Sequence, residues 1–214
     1  ANNVCAHTPD LNSFFVGIKN LLAPKGIFIF EVSYLLDVYN KLTFDTIYHE
    51  HMSYHSLMPL IDFVRHKKLE IIDFERIDVQ GGSIRIYVSH PNIFKVKKNK
   101  IKKQIDTERK HKLFSEVTYI KYFNKIKKTK KQLKKILKRF KKKNCKIIGF
   151  GAPAKLTTFS YVMKINKNYL DYIIDENYLK QNRFAPGTKI PIFGITKLKR
   201  ERPDVILVLA WNFF

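Results

Sequence analysis

The apolar and polar positions of residues 1–90 change period several times, which indicates alternating helices and strands. Apolar side chains at helical spacing predict an amphipathic helix over Leu11–Leu22, and Pro24 and Gly26 end it. The continuous apolar run over Gly26–Val32 is typical of a buried parallel strand. The next predicted elements are a helix over Ser56–His66 and two strands, Leu69–Ile77 and Ser83–Ser89, which form a hairpin through Gln80-Gly81-Gly82. This order of elements predicts an α/β fold.

Residues 144–214 repeat the same alternation on a smaller scale. The predicted strands are Cys145–Phe150, Leu170–Ile174 and Asp204–Ala210, and a helix over Leu156–Met163 follows the first of them. A loop with proline and glycine spans Lys180–Pro191, and Trp211–Phe214 follow the last strand. The pattern predicts a small Rossmann-like unit of three parallel strands.

Between these two parts lies a basic segment, Lys95–Lys143, that contains no glycine and no proline. It holds 22 of the 41 Lys and Arg residues and 3 of the 18 Asp and Glu residues, and therefore 19 of the 23 net positive charges. Apolar residues at helical spacing predict a long helix or a helix pair, with the lysines as its solvated face. The predicted apolar stripe consists of Leu113, Val117, Ile120, Phe123, Ile126, Leu133, Ile136, Leu137 and Phe140.

Composition and charge argue against a membrane-spanning protein and a disulfide scaffold, and they weaken the case for a nucleic-acid-binding protein. A strongly basic chain suggests a nucleic acid or an anionic membrane as partner. Here the excess is confined to one segment, arginine is scarce, and no stacking aromatics alternate with the lysines as single-strand binders require. The apolar runs are far shorter than the ~20 residues that span a bilayer. Cys5 and Cys145 lie far apart, so they provide neither a disulfide scaffold nor a cysteine-rich zinc site, which favours a reducing, cytoplasmic setting.

The densest group of chemically active side chains is Tyr48-His49-Glu50-His51, followed by Tyr54 and His55. Such a group can remove a proton and hold the resulting oxyanion. A zinc site is the first alternative, but successive residues of His49-Glu50-His51 alternate sides in an extended chain, and the histidines lack the i, i+4 spacing of ligands on a helix. A purely structural cluster is the second alternative and stays open. His7 is expected at the end of a strand, where a lone histidine is more often structural than catalytic.

A glycine-rich turn follows the first strand of the C-terminal part. Gly149 and Gly151 can seat a phosphate on the amides of the next helix, although Ala154 stands where the dinucleotide fingerprint has its third glycine. Tight packing of the turn explains the glycines equally well. Lys155 at the helix start and Asp175 at the end of the next strand favour a nucleotide or nucleotide-sugar site.

These motifs together resemble one family, the S-adenosylmethionine-dependent sugar C-methyltransferases, which methylate a carbon of a nucleotide-linked keto-hexose. The resemblance extends over nearly the whole chain, and its most specific part is the Tyr-His-Glu-His stretch in its context. The matching segments are residues 3–7, 44–54, 81–88, 149–155, 186–191 and 209–213.

The resemblance implies three domains in the whole enzyme: an N-terminal zinc domain, a class I methyltransferase domain and a C-terminal α/β domain. We expect residues 1–91 to be the C-terminal part of the methyltransferase domain, 92–143 a basic helical connector, and 144–214 a truncated nucleotide-sugar domain. Zinc would belong only to the absent N-terminal domain, so no metal site is expected here. The glycine loop that grips S-adenosylmethionine is also missing, so we expect an incomplete or inactive fragment.

The resemblance also implies a role for each matching residue. His51 would remove the proton next to the 4-keto group, and the carbon would then accept the methyl group. Glu50 and Tyr48 would support the base or the oxyanion, and His7 would line the same pocket. Asn3 would lie at the S-adenosylmethionine site. The dTDP-linked sugar would be bound by Gly149, Gly151, Lys155, Asp175 and Lys180.

Two other function classes stay open at this point. An NAD(P)-dependent sugar-nucleotide oxidoreductase needs a full glycine fingerprint and an acidic residue ~20 residues later, and the chain meets this pattern only in part. A basic nucleic-acid-binding protein would bind with a steep dependence on salt.

Overall fold

The computed structural model describes residues 1–211, which form two compact units. The first unit contains residues 1–43 and 49–122, and the second contains residues 44–48 and the chain from 123 onward. The helices are α1 Leu11–Leu21, α2 Leu35–Lys41, α3 Leu57–His66, α4 Lys98–Lys110, α5 Glu116–Lys142, α6 Leu156–Met163 and α7 Ile195–Arg200. The strands are β1 Ile27–Ser33, β2 Glu70–Ile77, β3 Ser83–Ser89, β4 Ile147–Phe150, β5 Tyr172–Ile174, β6 Arg183–Phe184, β7 Pro191–Phe193 and β8 Val205–Val208.

The predicted α/β class is confirmed, and the helix boundaries follow local chemistry. The Asp10 carboxylate accepts the backbone N–H of Asn12 at 2.9 Å and of Ser13 at 3.2 Å, which caps the start of α1.

The division into a methyltransferase part, a connector and a nucleotide-sugar domain stays a prediction. Asn212 and Phe213 of the last matching segment lie outside the described residues.

The sheet of the first unit has the order β1-β3-β2, and both of its pairings are antiparallel. The hairpin between β2 and β3 forms as predicted, because Gln80, Gly81 and Gly82 supply three consecutive residues with positive φ. The prediction of a parallel strand at β1 is wrong for its pairing with β3. A continuous apolar run indicates that a strand is buried, but it does not indicate whether the neighbouring strand runs parallel or antiparallel. The burial of β1 is also incomplete, since Ile27 and Ile29 are exposed.

A buried carboxylate caps α3. Ser56 precedes this helix without a side-chain cap, and Glu108 of α4 takes that place. Its Oε1 accepts the N–H of Leu57 at 2.6 Å, its Oε2 accepts the N–H of Met58 at 3.0 Å, and the Tyr34 hydroxyl donates to Oε1 at 2.6 Å. Burial and the adjacent carboxylate raise the pKa of Tyr34 far above its usual range, so its hydroxyl remains a donor.

The basic segment forms the predicted helix pair, α4 and α5, but the predicted stripe is only partly correct. Leu113, Ile126 and Leu137 are buried as expected. The buried face of the first half of α5 is completed by Thr118 and Tyr122, and Tyr122 stacks on Tyr39 at a ring distance of 5.8 Å. The predicted stripe residues that are exposed are Val117, Ile120, Phe123 and Ile136.

The second unit contains a five-stranded sheet with the order β6-β7-β5-β4-β8. Strands β7, β5, β4 and β8 are parallel, and β6 is antiparallel at one edge. The prediction of three parallel strands is therefore one strand short. Strand β7 has three residues and begins with a proline in a loop-like sequence, so periodicity gave no signal for it.

The order of the parallel strands creates a topological switch point. The chain adds β5 and β7 on one side of β4 and then crosses over through α7 to pair β8 with the other side. Ligands of open α/β sheets bind at the carboxyl ends of strands at such a point. In this unit those ends carry the Gly149–Lys155 turn and Leu209-Ala210. Among residues 1–211 no helix is both long and apolar enough to cross a membrane.

Candidate active site

Two groups of the predicted site residues can be located, one in each unit. In the first unit, the N–H of Met52 donates to the carbonyl of Ala6 at 2.7 Å, which brings the Tyr-His-Glu-His segment beside the N-terminal residues. The rings of His7 and His51 meet edge to face with centroids 5.0 Å apart. The ring of Tyr54 lies edge to face with His51 at 6.3 Å. Two of the predicted catalytic histidines are therefore in direct contact within the first unit.

The backbone around these histidines differs from the expectation. His7 lies at the end of a 3₁₀ helix over Cys5–His7 and not at a strand end. Only a single parallel bridge, between Asn2 and Glu31, has strand character in the described residues before it. Residues 1–7 are mixed in polarity and too short for a ladder of their own, so a turn that buries Cys5 and Ala6 replaces the predicted strand end. Burial raises the pKa of the Cys5 thiol to about 11, so this cysteine is an inert core residue.

Glu50 and His49 lie on the exposed side of the segment, with 3.9 Å between His49 Nε2 and Glu50 Oε1. His51 is half-buried. Tyr48 belongs to the second unit, whereas Glu50, His51 and His7 belong to the first. Within residues 1–211, no group of three or more His, Cys, Asp or Glu side chains is placed to hold a metal ion.

His55, the last histidine of the segment, is a core residue. It is buried, and its Nε2 lies 2.9 Å from the Ser53 hydroxyl oxygen. Burial lowers the pKa of His55 to about 4, because the charged imidazolium would lose its hydration. It is therefore neutral at pH 7 and unsuited to a role that needs a positive charge.

The buried His55 predicts an acid-sensitive fold. The unfolded chain binds a proton at this histidine near its ordinary pKa of 6.5, whereas the folded chain does so only near 4. The contribution of His55 is complete above pH 6.5, and it is lost as the pH falls from 6.5 towards 4, by up to ~1.4 kcal/mol per pH unit. Urea unfolding across this range should show a smaller slope against pH for His55→Gln. An unchanged slope would contradict the assignment, and the exposed His66→Gln is the control.

In the second unit, the glycine-rich turn lies at the carboxyl end of β4, as predicted. Gly151 has φ 85°, and a Cβ there would lie 2.5 Å from the Cβ of Ala210, so a larger residue is excluded by both strain and space. A cleft of about 300 Å³ opens beside the turn. It is lined by Phe150, Gly151, Ala152, Pro153, Ile174, Asp175, Glu176, Lys180 and Ala210.

Asp175 and Lys180 stand at this cleft and brace the turn. The Asp175 carboxylate accepts the N–H of Ala152 at 2.6 Å through one oxygen and the N–H of Asn177 at 2.9 Å through the other. The Lys180 ammonium donates to the carbonyl of Ala152 at 2.8 Å and lies 3.6 Å from the Asp175 carboxylate. The predicted residues are thus brought together, while their contact with a nucleotide stays a prediction.

Lys155 has neighbours that the sequence did not indicate. Its ammonium lies 3.9 Å from the centre of the Trp211 ring and 4.0 Å from Oδ2 of Asp45, and the Trp211 indole N–H donates to that same oxygen at 2.7 Å. We call Asp45, Lys155 and Trp211 the clamp. Asp45 and Trp211 are 166 residues apart in the chain, so only their presence in matching segments could have drawn attention to them.

The parallel sheet, its switch point and the polar cleft at that edge place the chain among Rossmann-like α/β proteins. Residues 78–214 match the model of the C-methyltransferase C-terminal domain family. The match covers more than half of the chain, so the chain belongs to this family. The chain is also similar to the C-methyltransferase NovU of Streptomyces niveus, with 30% identity over 208 residues, which are 97% of this chain and 50% of NovU. It therefore spans about half the length of the curated relative it matches.

Proposed function

We propose that the protein is an S-adenosylmethionine-dependent methyltransferase that methylates a carbon of a nucleotide-linked keto-deoxyhexose, with dTDP as the nucleotide. Membership of the C-methyltransferase family supports methyl transfer to carbon. The observation that carries the site assignment is the edge-to-face pair of His7 and His51. The sugar and the nucleotide rest on the resemblance of the motifs.

Methylation at carbon requires a carbanion equivalent. A hydrogen next to a ketone is removable when the enolate oxygen is stabilised. We assign His51 as the base, since imidazole titrates near neutral pH and acts without large tuning. His7 orients its ring from the facing turn, and Glu50 and Tyr48 position the sugar and support the developing oxyanion.

S-adenosylmethionine, when bound, supplies an electrophilic methyl group. We assign Asn3 to its site. The backbone N–H of Asn3 donates to the carbonyl of Glu31 at 2.9 Å, which anchors this residue. Asn3 is half-exposed, and its backbone is left-handed with φ 56°. Its amide offers two donors and an acceptor, a set that suits the hydroxyl and amino groups of such a ligand.

The cleft at β4 is the proposed site of the sugar nucleotide. We assign the Gly149–Gly151 turn to the diphosphate. Gly151 lines the cleft, whereas Gly149 lies within β4 against Leu209 and Ile173, and Lys180 provides a positive charge at the rim. Asp175 fixes the turn, and we assign it to the ribose hydroxyls of the nucleotide. Lys155 is not among the residues that line this cleft.

The proposed function is tested by incubating the full-length protein that contains this chain with methyl-labelled S-adenosylmethionine and a dTDP-linked 4-keto-deoxyhexose. We expect the label on a ring carbon next to the ketone. With the cofactor omitted and deuterium oxide as solvent, we expect deuterium at that same carbon, because proton removal precedes methyl transfer. Label on oxygen or nitrogen, or turnover that depends on NAD(P)H, would contradict the proposal.

A further inference from the structure

We propose that the clamp positions Tyr48 for the reaction, so that Lys155 serves as a positioning residue and not as a phosphate ligand. The proposal rests on the proposed function, which gives Tyr48 its role beside the sugar. Nothing in the resemblance assigns Asp45 or Trp211.

The clamp is a buried electrostatic cluster. The side chains of Asp45 and Lys155 are only 5% and 12% exposed. One oxygen of Asp45 accepts the indole N–H of Trp211 and faces the ammonium of Lys155, which in turn lies over the indole ring. A cation over an aromatic face and a buried charged hydrogen bond are each worth more than the same contact at the surface.

Lys155 is poorly placed to hold a diphosphate. Its ammonium is oriented towards Asp45 and Trp211, whereas Lys180 stands at the cleft. Burial lowers the pKa of Lys155, and the Asp45 carboxylate opposes this effect. A carboxylate that supports the charge of a buried lysine is the arrangement of an internal ion pair.

Further contacts fix the residues around Asp45 to the same unit. The hydroxyl of Thr158 on α6 donates to the carbonyl of Ile47 at 2.9 Å. The rings of Phe44 and Phe159 stack with centroids 6.3 Å apart. Phe44, Asp45 and Thr46 are all buried and form a 3₁₀ turn. The chain is therefore held on both sides of Asp45, and Tyr48 lies one residue beyond the anchored Ile47.

The consequence is kinetic. A small displacement of a group that holds the reacting sugar lowers turnover, and a shift of ~1 Å costs up to ~100-fold. Loss of a positioning contact should therefore lower kcat and leave the KM for the sugar nucleotide close to its original value. Loss of a phosphate contact should instead raise this KM.

The experiment compares Asp45→Asn, Lys155→Met and the double variant with the unmodified enzyme, all as full-length protein. Asp45→Asn keeps an oxygen for the indole N–H and removes the charge, and Lys155→Met keeps most of the packing. Glu201→Gln is the matched control, because it removes a carboxylate that pairs with Lys146 and Lys197 in the same unit. The readouts are kcat, KM and the hydrogen–deuterium exchange of residues 44–48.

We expect each single clamp variant to lower kcat by about tenfold or more with little change in KM, and the control to change neither. The double variant should lose less than the product of the two single losses, because the residues act as a pair. Exchange of residues 44–48 should accelerate in the clamp variants and not in the control.

Two results would overturn the proposal. One is unchanged exchange of residues 44–48 in both single variants. The other is a raised KM for the sugar nucleotide with unchanged kcat in Lys155→Met, which would make Lys155 a phosphate ligand. The exchange measurement needs no catalysis, so it tests the clamp even where the methylation assay fails.

Discussion

His51→Asn in the full-length protein is expected to lower the turnover of the C-methylation by at least about two orders of magnitude. The variant removes the imidazole that we assign as the base, while asparagine retains a polar group of similar size. The position is half-buried and the ring contacts His7 and Tyr54, so the fold should persist. Steady-state kinetics and deuterium incorporation at the substrate carbon measure the effect, and both should fall together.

The matched control for this substitution is His66→Asn, at the exposed end of α3, which should leave turnover unchanged. A loss of less than about tenfold for His51→Asn, with folding intact by circular dichroism, would remove His51 as the base. The neighbouring groups of the same segment, Glu50 and Tyr48, would then be the next residues to replace.

Glu108→Ala is expected to cost about 3 kcal/mol of unfolding free energy. The carboxylate accepts two N–H groups at the start of α3 and the hydroxyl of Tyr34, and it is fully buried. Its removal leaves two buried donors and one half-buried donor without their acceptor, and each buried donor costs about 1–3 kcal/mol before relaxation and water entry reduce the sum. Urea unfolding measures the loss.

Glu108→Gln retains one acceptor and should lose less than the alanine variant, which gives a measurable protein if the alanine variant does not fold. Asp106→Ala on the same helix is the control. Asp106 is exposed and pairs with Arg109 at 3.6 Å, a contact that is worth well under ~1 kcal/mol at the surface. Equal losses of unfolding free energy for Glu108→Ala and Asp106→Ala would show that the buried cap stabilises the fold no more than a surface ion pair does.

The sequence predicted the positions of helices and strands better than it predicted which strands pair with each other. Helix α6 and strand β3 have the boundaries that periodicity indicated, because helical and strand periods are local properties. Whether β1 pairs in a parallel or an antiparallel way depends on which strand of the β2–β3 hairpin lies beside it. An apolar run does not encode that choice. Strand β7 is formed by pairing with β5 and has almost no signal of its own.

The candidate site was predicted in the same uneven way. Periodicity and turn chemistry placed Gly151 and Asp175 at one sheet edge, where the structure brings them together. The contact between His7 and His51 depends on a backbone hydrogen bond between Met52 and Ala6, which no spacing rule reveals. Lys155 was predicted from its place beside the turn, but its neighbours come from distant parts of the chain.

The contact between Gly151 and Ala210 limits how this family can diverge. A single methyl group at position 151 would occupy the space of the methyl group at position 210. The two positions share one small volume at the ends of β4 and β8, so a lineage that enlarges one side chain must open the strands or reshape the cleft. Relatives that keep the same turn are therefore expected to keep glycine at position 151 and a small side chain at position 210.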